Sequence, residues 1–138
     1  MGTLGARTLG AGGGRTSALK PALMSYPTRG AIYLVNFDPT VGAEVQKTRP
    51  AAIISNDIAN QYSPIVIVAA IIGRAKPKFD EVLVNPPEGR LTKPSVIQPN
   101  QIRSIDKRRL VKRIGALSTE TMERLDTALK LTLGLVKL

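Results

Sequence analysis

The 138-residue chain contains no cysteine, no histidine and no tryptophan. Without cysteine there is no disulfide and no thiolate nucleophile. Without histidine as well, a zinc site of the usual kind and a histidine-based catalytic triad are excluded. Aromatic residues make up only 4%, so a core must be built from Val, Ile, Leu and Ala. No apolar run reaches the roughly 20 residues that span a bilayer. The lack of cysteine fits a reducing, cytoplasmic setting. No metal and no cofactor is expected.

Acidic residues are the minority charge. There are 10 Asp and Glu against 20 Lys and Arg, a net charge of +10. That balance favours a polyanion: nucleic acid, an anionic membrane or an acidic protein. Residues 1–28 differ from the rest. They hold "GAGGG", three cations and no acid, a texture that cannot fold cheaply. They read as a disordered N-terminal extension ahead of a domain over 29–138. The favoured form is an upstream extension with Met24 as the true start of the domain; a transit peptide is the alternative. Without Arg7, Arg15, Lys20 and Arg29 the remainder still carries 16 cations against 10 acids, so the basic character belongs to the domain.

Hydrophobic patterning predicts many short strands. They are Gly30–Pro39, Ala51–Ser55, Ile65–Gly73, Glu81–Pro87 and Val96–Pro99. Ile65–Gly73 reads as the most buried. Ser55–Pro64 is a turn with one helical turn inside it. Asn100–Asp106 is a strand or a short helix, and Lys107–Leu117 a turn and a last strand. Ser118 is a good N-cap for a C-terminal helix, with Met122, Leu125, Leu129 and Leu133 on one apolar stripe. Asp126 and Lys130 stand four apart on the polar side. The fold class is mainly β with a C-terminal helix: a small antiparallel barrel closed by that helix.

"KTRPAAII" places cations directly before a buried strand. Arg49 is either a surface arginine beside a turn proline or a phosphate clamp. Its planar fork stays charged, and Pro50 and the strand behind would fix its aim. Lys47 would face the same way along an extended segment. Glu44 is a solvated charge paired with Lys47, or a carboxylate that accepts a base-edge bond or orients Arg49. Asn56, Asn100 and Gln101 are amides at element ends, for turns or for base readout. Arg74, Lys76 and Lys78 form a basic loop. "DKRRLVKR" (Asp106–Arg113) holds five cations, a solvated face or a non-specific phosphate contact.

Together, "GAIYLVNFDPTVGAEVQKTRPAAIISND", "IVIVAAI", "PSVIQPNQIRSIDKRRL" and "IGALSTETMERLDTALKLTLGL" closely resemble the MazF/PemK toxin family across about residues 29–136. The resemblance implies an SH3-like barrel with a C-terminal helix, assembled as a homodimer. It implies a toxin of a type II toxin–antitoxin system that is a sequence-specific, ribosome-independent endoribonuclease needing no metal. Single-stranded RNA, cut to 2′,3′-cyclic phosphate and 5′-OH ends, and an acidic MazE-like antitoxin are then the partners. No membrane partner is implied. Arg49 matches the family's catalytic arginine. Glu44, Lys47, Asn56 and Gln101 match positions near the RNA groove, and Arg74, Lys76 and Lys78 lie in a variable loop that covers RNA or antitoxin.

One position departs from the pattern. Ile72 stands where many relatives carry a catalytic threonine, and isoleucine has no hydroxyl to offer a phosphate. Three readings follow: a weakened or inactive nuclease, a chain altered there so that it can be expressed, or a substitute hydroxyl from Thr48 or Ser95. A non-catalytic RNA- or antitoxin-binding barrel is the rival from another class. A gyrase-poisoning toxin of the similarly folded CcdB family has no reason to keep "KTRP".

Overall fold

The structure, a computed structural model, describes residues 26–137. The predicted N-terminal extension therefore lies outside the described residues, apart from Tyr26–Thr28. Six strands follow in chain order: β1 (Ala31–Asn36), β2 (Thr48–Ile53), β3 (Ile65–Gly73), β4 (Val82–Val84), β5 (Ser95–Asp106) and β6 (Leu110–Ala116). Helix α1 (Asp57–Tyr62) joins β2 to β3, and α2 (Thr119–Thr132) ends the fold. All strand pairs are antiparallel, in the order β4-β5-β3-β2-β1-β6. The sheet curls into a half-barrel with the C-terminal helix beside it.

Alternation within each strand sends side chains to two cores. Ile32, Ala52, Ala69, Ile71 and Ile97 pack with Leu125, Ala128 and Leu129 of α2. Val35, Phe37, Ala51, Ile53, Val66, Val68, Ala70 and Ile105 form the second core on the other face. With so few aromatics, small β-branched residues do this work. Where β6 meets the turn Glu88–Arg90, glycine is needed: a Cβ on Gly115 would stand 2.5 Å from the carbonyl oxygen of Gly89.

Helix α2 begins as its sequence implies. The Ser118 hydroxyl accepts from the Thr121 N–H at 3.1 Å. A second acceptor comes from outside the helix: Glu88 takes the Ser118 N–H at 2.9 Å. Burial shifts the Glu88 carboxyl upward, but the bonds from Ser118 and Thr121 outweigh it and leave it below the usual range. Leu133 breaks the expected stripe. It is the C-cap and is exposed, because the helix outruns the core there. Asp126 pairs with Arg29 at 2.6 Å.

One strand expectation needs correction. Val96–Pro99 and Asn100–Asp106 are one strand, β5. Its ladder to β3 jumps from Ile102↔Ala69 to Gln98↔Ala70. Pro99 has no N–H to give a ladder, so the chain bulges there and resumes. Strand β3, read as the most buried, holds Val66, Val68, Ala69, Ala70 and Ile71 in the core but is open at its start. Ile65 and Ile67 are 42% and 38% exposed, since α2 covers only the far end of that face.

Candidate functional site

The β2–β3 ladder pairs Ala51 with Ala70, Ala52 with Ala69 and Ile53 with Val68. The pairing ends at Ala51 and Ala70, and Arg49 and Ile72 each lie two residues past that last pair on their strands. Parity adds the face. Arg49 alternates with Ala51 and Ile53, and Ile72 with Val66, Val68 and Ala70, all of them on the second core. The two positions therefore share one face at one end of the sheet. Arg49 is exposed and sits in register with buried Val35 of β1. Its Nε donates to the Gln46 carbonyl at 3.1 Å, and among the described residues no carboxylate pairs with it. Ile72 is half-buried and in register with Val96 of β5.

The loop entering β2 is held from β5 and β1. The Gln101 side chain accepts from the Val45 N–H and donates to the Ala43 carbonyl, both at 3.3 Å. Arg103 lies over the Phe37 ring, 6.0 Å from its centroid, and donates to the Phe37 carbonyl. Asp38 accepts the Lys47 N–H at 2.9 Å, and Phe37 N–H donates to the Lys47 carbonyl at 2.9 Å. These bonds leave Arg49 little freedom of origin. Sequence reading singled out Gln101 but missed Arg103 and Asp38. The cation two residues beyond Gln101, in the same strand and at the same parity, was the available signal.

Lys47 does not share Arg49's extended direction. Its φ of 68° is left-handed, so simple alternation fails at that residue. Glu44 is exposed and accepts the Val41 N–H at 2.9 Å, closing its own turn. It forms no ion pair with Lys47 among the described residues. Asn56 caps α1, its Oδ1 accepting from the Ala59 N–H at 2.8 Å. Asn100 is exposed in the β5 bulge.

The basic loop is partly neutralised. Arg74 pairs with Glu81, whose side chain is only 6% exposed. Glu81 also accepts from the Lys78 N–H at 2.8 Å and from Gln98 at 3.1 Å. Burial alone would raise its pKa. The bonds from Lys78, Gln98 and Arg74, with the Arg74 charge, bring it below the ordinary carboxylate value. Lys76 and Lys78 stay exposed. In the Asp106–Arg113 run, Arg108 forks onto Asp106 at 3.0 and 3.1 Å. Those bonds hold the Asp106 pKa at about 2 and raise that of Arg108. Arg109 donates to the carbonyls of Asn36 and Asp38.

Neither offered substitute hydroxyl replaces the missing one. Ser95 is buried and its hydroxyl donates to the Lys93 carbonyl at 2.9 Å. Thr48 precedes Arg49 in β2 and so points to the opposite face. Among the described residues no three acidic side chains gather into a metal site, and no helix is long and apolar enough to cross a membrane.

Fold and site define a class: a small, strongly basic β half-barrel with a C-terminal helix and an anchored, unpaired arginine at one end of its sheet. Comparison with known proteins takes this further. Residues 28–133 match the family model of the PemK-like, MazF-like toxin of type II toxin–antitoxin systems. The chain belongs to that family. MazF from Deinococcus radiodurans superposes with a TM-score of 0.70 at 24% identity, covering 79% of this chain and 97% of that one. A mycobacterial endoribonuclease in complex with its cognate antitoxin gives 0.67 at 23%, covering 81% and 99%. The Mycobacterium tuberculosis toxin MazF-mt6 gives 0.66 at 23%, covering 78% and 99%. At these identities the likeness is one of fold.

Proposed function

We propose that this toxin is an endoribonuclease that cleaves single-stranded RNA such as mRNA at a short sequence, and that an acidic MazE-like antitoxin restrains it. The observation that carries the reading is Arg49, unpaired among the described residues and anchored by Gln46, on the same sheet face as the Ile72 position. RNA supplies its own nucleophile, so the chain's lack of histidine is no obstacle. The ribose 2′-oxygen attacks the adjacent phosphorus and loses its proton. The new 2′-O–P bond forms as the P–O5′ bond breaks, and the 5′-oxygen takes up a proton. A 2′,3′-cyclic phosphate and a 5′-OH result. Arg49 stabilises the extra negative charge on the phosphoryl oxygens, an interaction strongest in the transition state. Proton transfer is not assigned to it, since a guanidinium holds its proton too tightly to be a good acid or base.

Glu44 and Lys47, on the anchored loop beside Arg49, are the side chains proposed to meet flanking nucleotides. Gln101 and Asn56 act in this reading through the backbone they hold. Lys76 contributes charge from its loop, and Arg74 does so only by leaving Glu81. The net charge of +10 suits both RNA and an acidic antitoxin, and relatives have been solved with an antitoxin bound. Assembly as a homodimer is part of the proposal. The exposed Ile58, Tyr62, Ile65 and Ile67 give apolar surface for it.

Ile72 favours a second reading, a barrel that binds RNA or antitoxin without cutting. The two readings separate in one experiment. Long single-stranded RNA is incubated with purified protein in EDTA and the fragment ends are mapped. Discrete fragments with cyclic-phosphate and 5′-OH ends support the nuclease. Retarded but intact RNA selects the binding barrel.

A further inference from the structure

We propose a second phosphate-binding position, formed by Lys93 lying across Gly73, for the RNA phosphate next to the scissile one. It rests on the RNA reading above. Gly73 ends β3, one residue beyond Ile72. It is not among the positive-φ glycines, so its backbone does not demand glycine, and what lies where a Cβ would be is the flexible end of one lysine. A Cβ there would stand 2.4 Å from Lys93 Cε, 2.8 Å from Nζ and 3.3 Å from Cδ. The lysine stem occupies the space a side chain would fill, as glycine within a strand often permits.

The turn bearing Lys93 is fastened to that strand end. Gly73 is in register with Ser95. The Arg74 N–H donates to the Pro94 carbonyl at 3.1 Å, and the Ser95 hydroxyl donates to the Lys93 carbonyl at 2.9 Å. Among the described residues no carboxylate pairs with Lys93, whereas its neighbour Arg74 is held by Glu81. Lys93 is thus an unpaired cation beside the site with a strand under its stem.

Parity decides which phosphate it meets. The Gly73 side-chain position faces away from that of Ile72, so Lys93 approaches the strand end from the face opposite Arg49. Arg49 and Lys93 therefore flank the strand end from its two faces. An RNA strand passing over the end of β3 meets Arg49 with one phosphate and the Lys93 ammonium with a neighbour.

The test is binding of a fluorescent single-stranded RNA of mixed sequence, 2′-O-methylated so that it cannot be cut. The parent chain, Lys93→Gln, Gly73→Ala and the double variant are titrated at several salt concentrations. Losing one phosphate contact weakens binding about fourfold near 0.15 M salt and lowers the slope of log affinity against log salt by about 0.7. The loss is uniform across sequences. Gly73→Ala, which keeps the charge but displaces it, gives the same direction, and the double variant is no weaker than Lys93→Gln. Unchanged binding in Lys93→Gln, with the parent binding, overturns this proposal alone. A weakened Lys93→Gln with an unaffected Gly73→Ala overturns the seat on Gly73. No RNA binding by the parent overturns this proposal and the function it rests on.

Discussion

Replacing Ile72 by threonine places a hydroxyl on the sheet face that carries Arg49. The change keeps the β-branch and the strand preference and removes apolar bulk from a half-buried side chain. That loss costs about 1 kcal/mol, a fall of about 4 °C in Tm for a domain this size, so the variant stays folded at 25 °C. Against it stands the gain. One donor aimed at charge developing in a transition state is worth about 10²–10³ in rate. The assay is single-turnover cleavage of end-labelled RNA in EDTA with protein in excess. Ile72→Thr should cut about 10²–10³ times faster than the parent, and Ile72→Val, which has the shape without the hydroxyl, should match the parent. A folded threonine variant within about threefold of the parent rate would refute the reasoning. The hydroxyl would then have no partner at the site, and sharing a sheet face with Arg49 would not put it there.

Other consequences follow from named bonds. Asn56→Ala loses the α1 cap and about 1 kcal/mol in denaturant unfolding, whereas Asn56→Asp keeps an acceptor and stays within a few tenths; equal losses would contradict a capping role. Glu81 has a depressed pKa, so its contribution is present above the unfolded carboxylate value and disappears as pH falls through the lowered one. Thermal melts of Glu81→Gln should therefore show a Tm deficit at neutral pH that narrows as pH falls through the lowered value. Gly115→Ala forces a Cβ onto the Gly89 backbone and should cost at least about 2 kcal/mol, read from the shift in denaturant midpoint.

Much of the fold was legible because local chemistry and tertiary role agreed. Ser118 announces a helix by its hydroxyl, and the Ile65–Gly73 run announces a strand by its β-branching. The extent of β5 was not legible. A bulge at Pro99 depends on the partner strand, and nothing in "QPNQ" alone says that pairing resumes. Exposure of Ile65 and Ile67 depends on how far α2 reaches across the sheet. At the site, the motif around Arg49 named the arginine, and only the β2–β3 pairing and the cores it builds put it on the same face as Ile72. Lys47's left-handed backbone and the Arg74–Glu81–Gln98 cluster arise from contacts far apart in sequence, which periodicity does not encode. Arg103 was hidden by its company, one cation among many in a basic chain.

The most direct test of the central claim is the single-turnover rate of Arg49→Ala beside the parent, with RNA affinity measured on the same samples. The account predicts that cleavage falls by about 10²–10³ while affinity drops only a few-fold, because Arg49 acts chiefly on charge that develops in the transition state. Undiminished cleavage by Arg49→Ala, or a loss of affinity equal to the loss of rate, would contradict it.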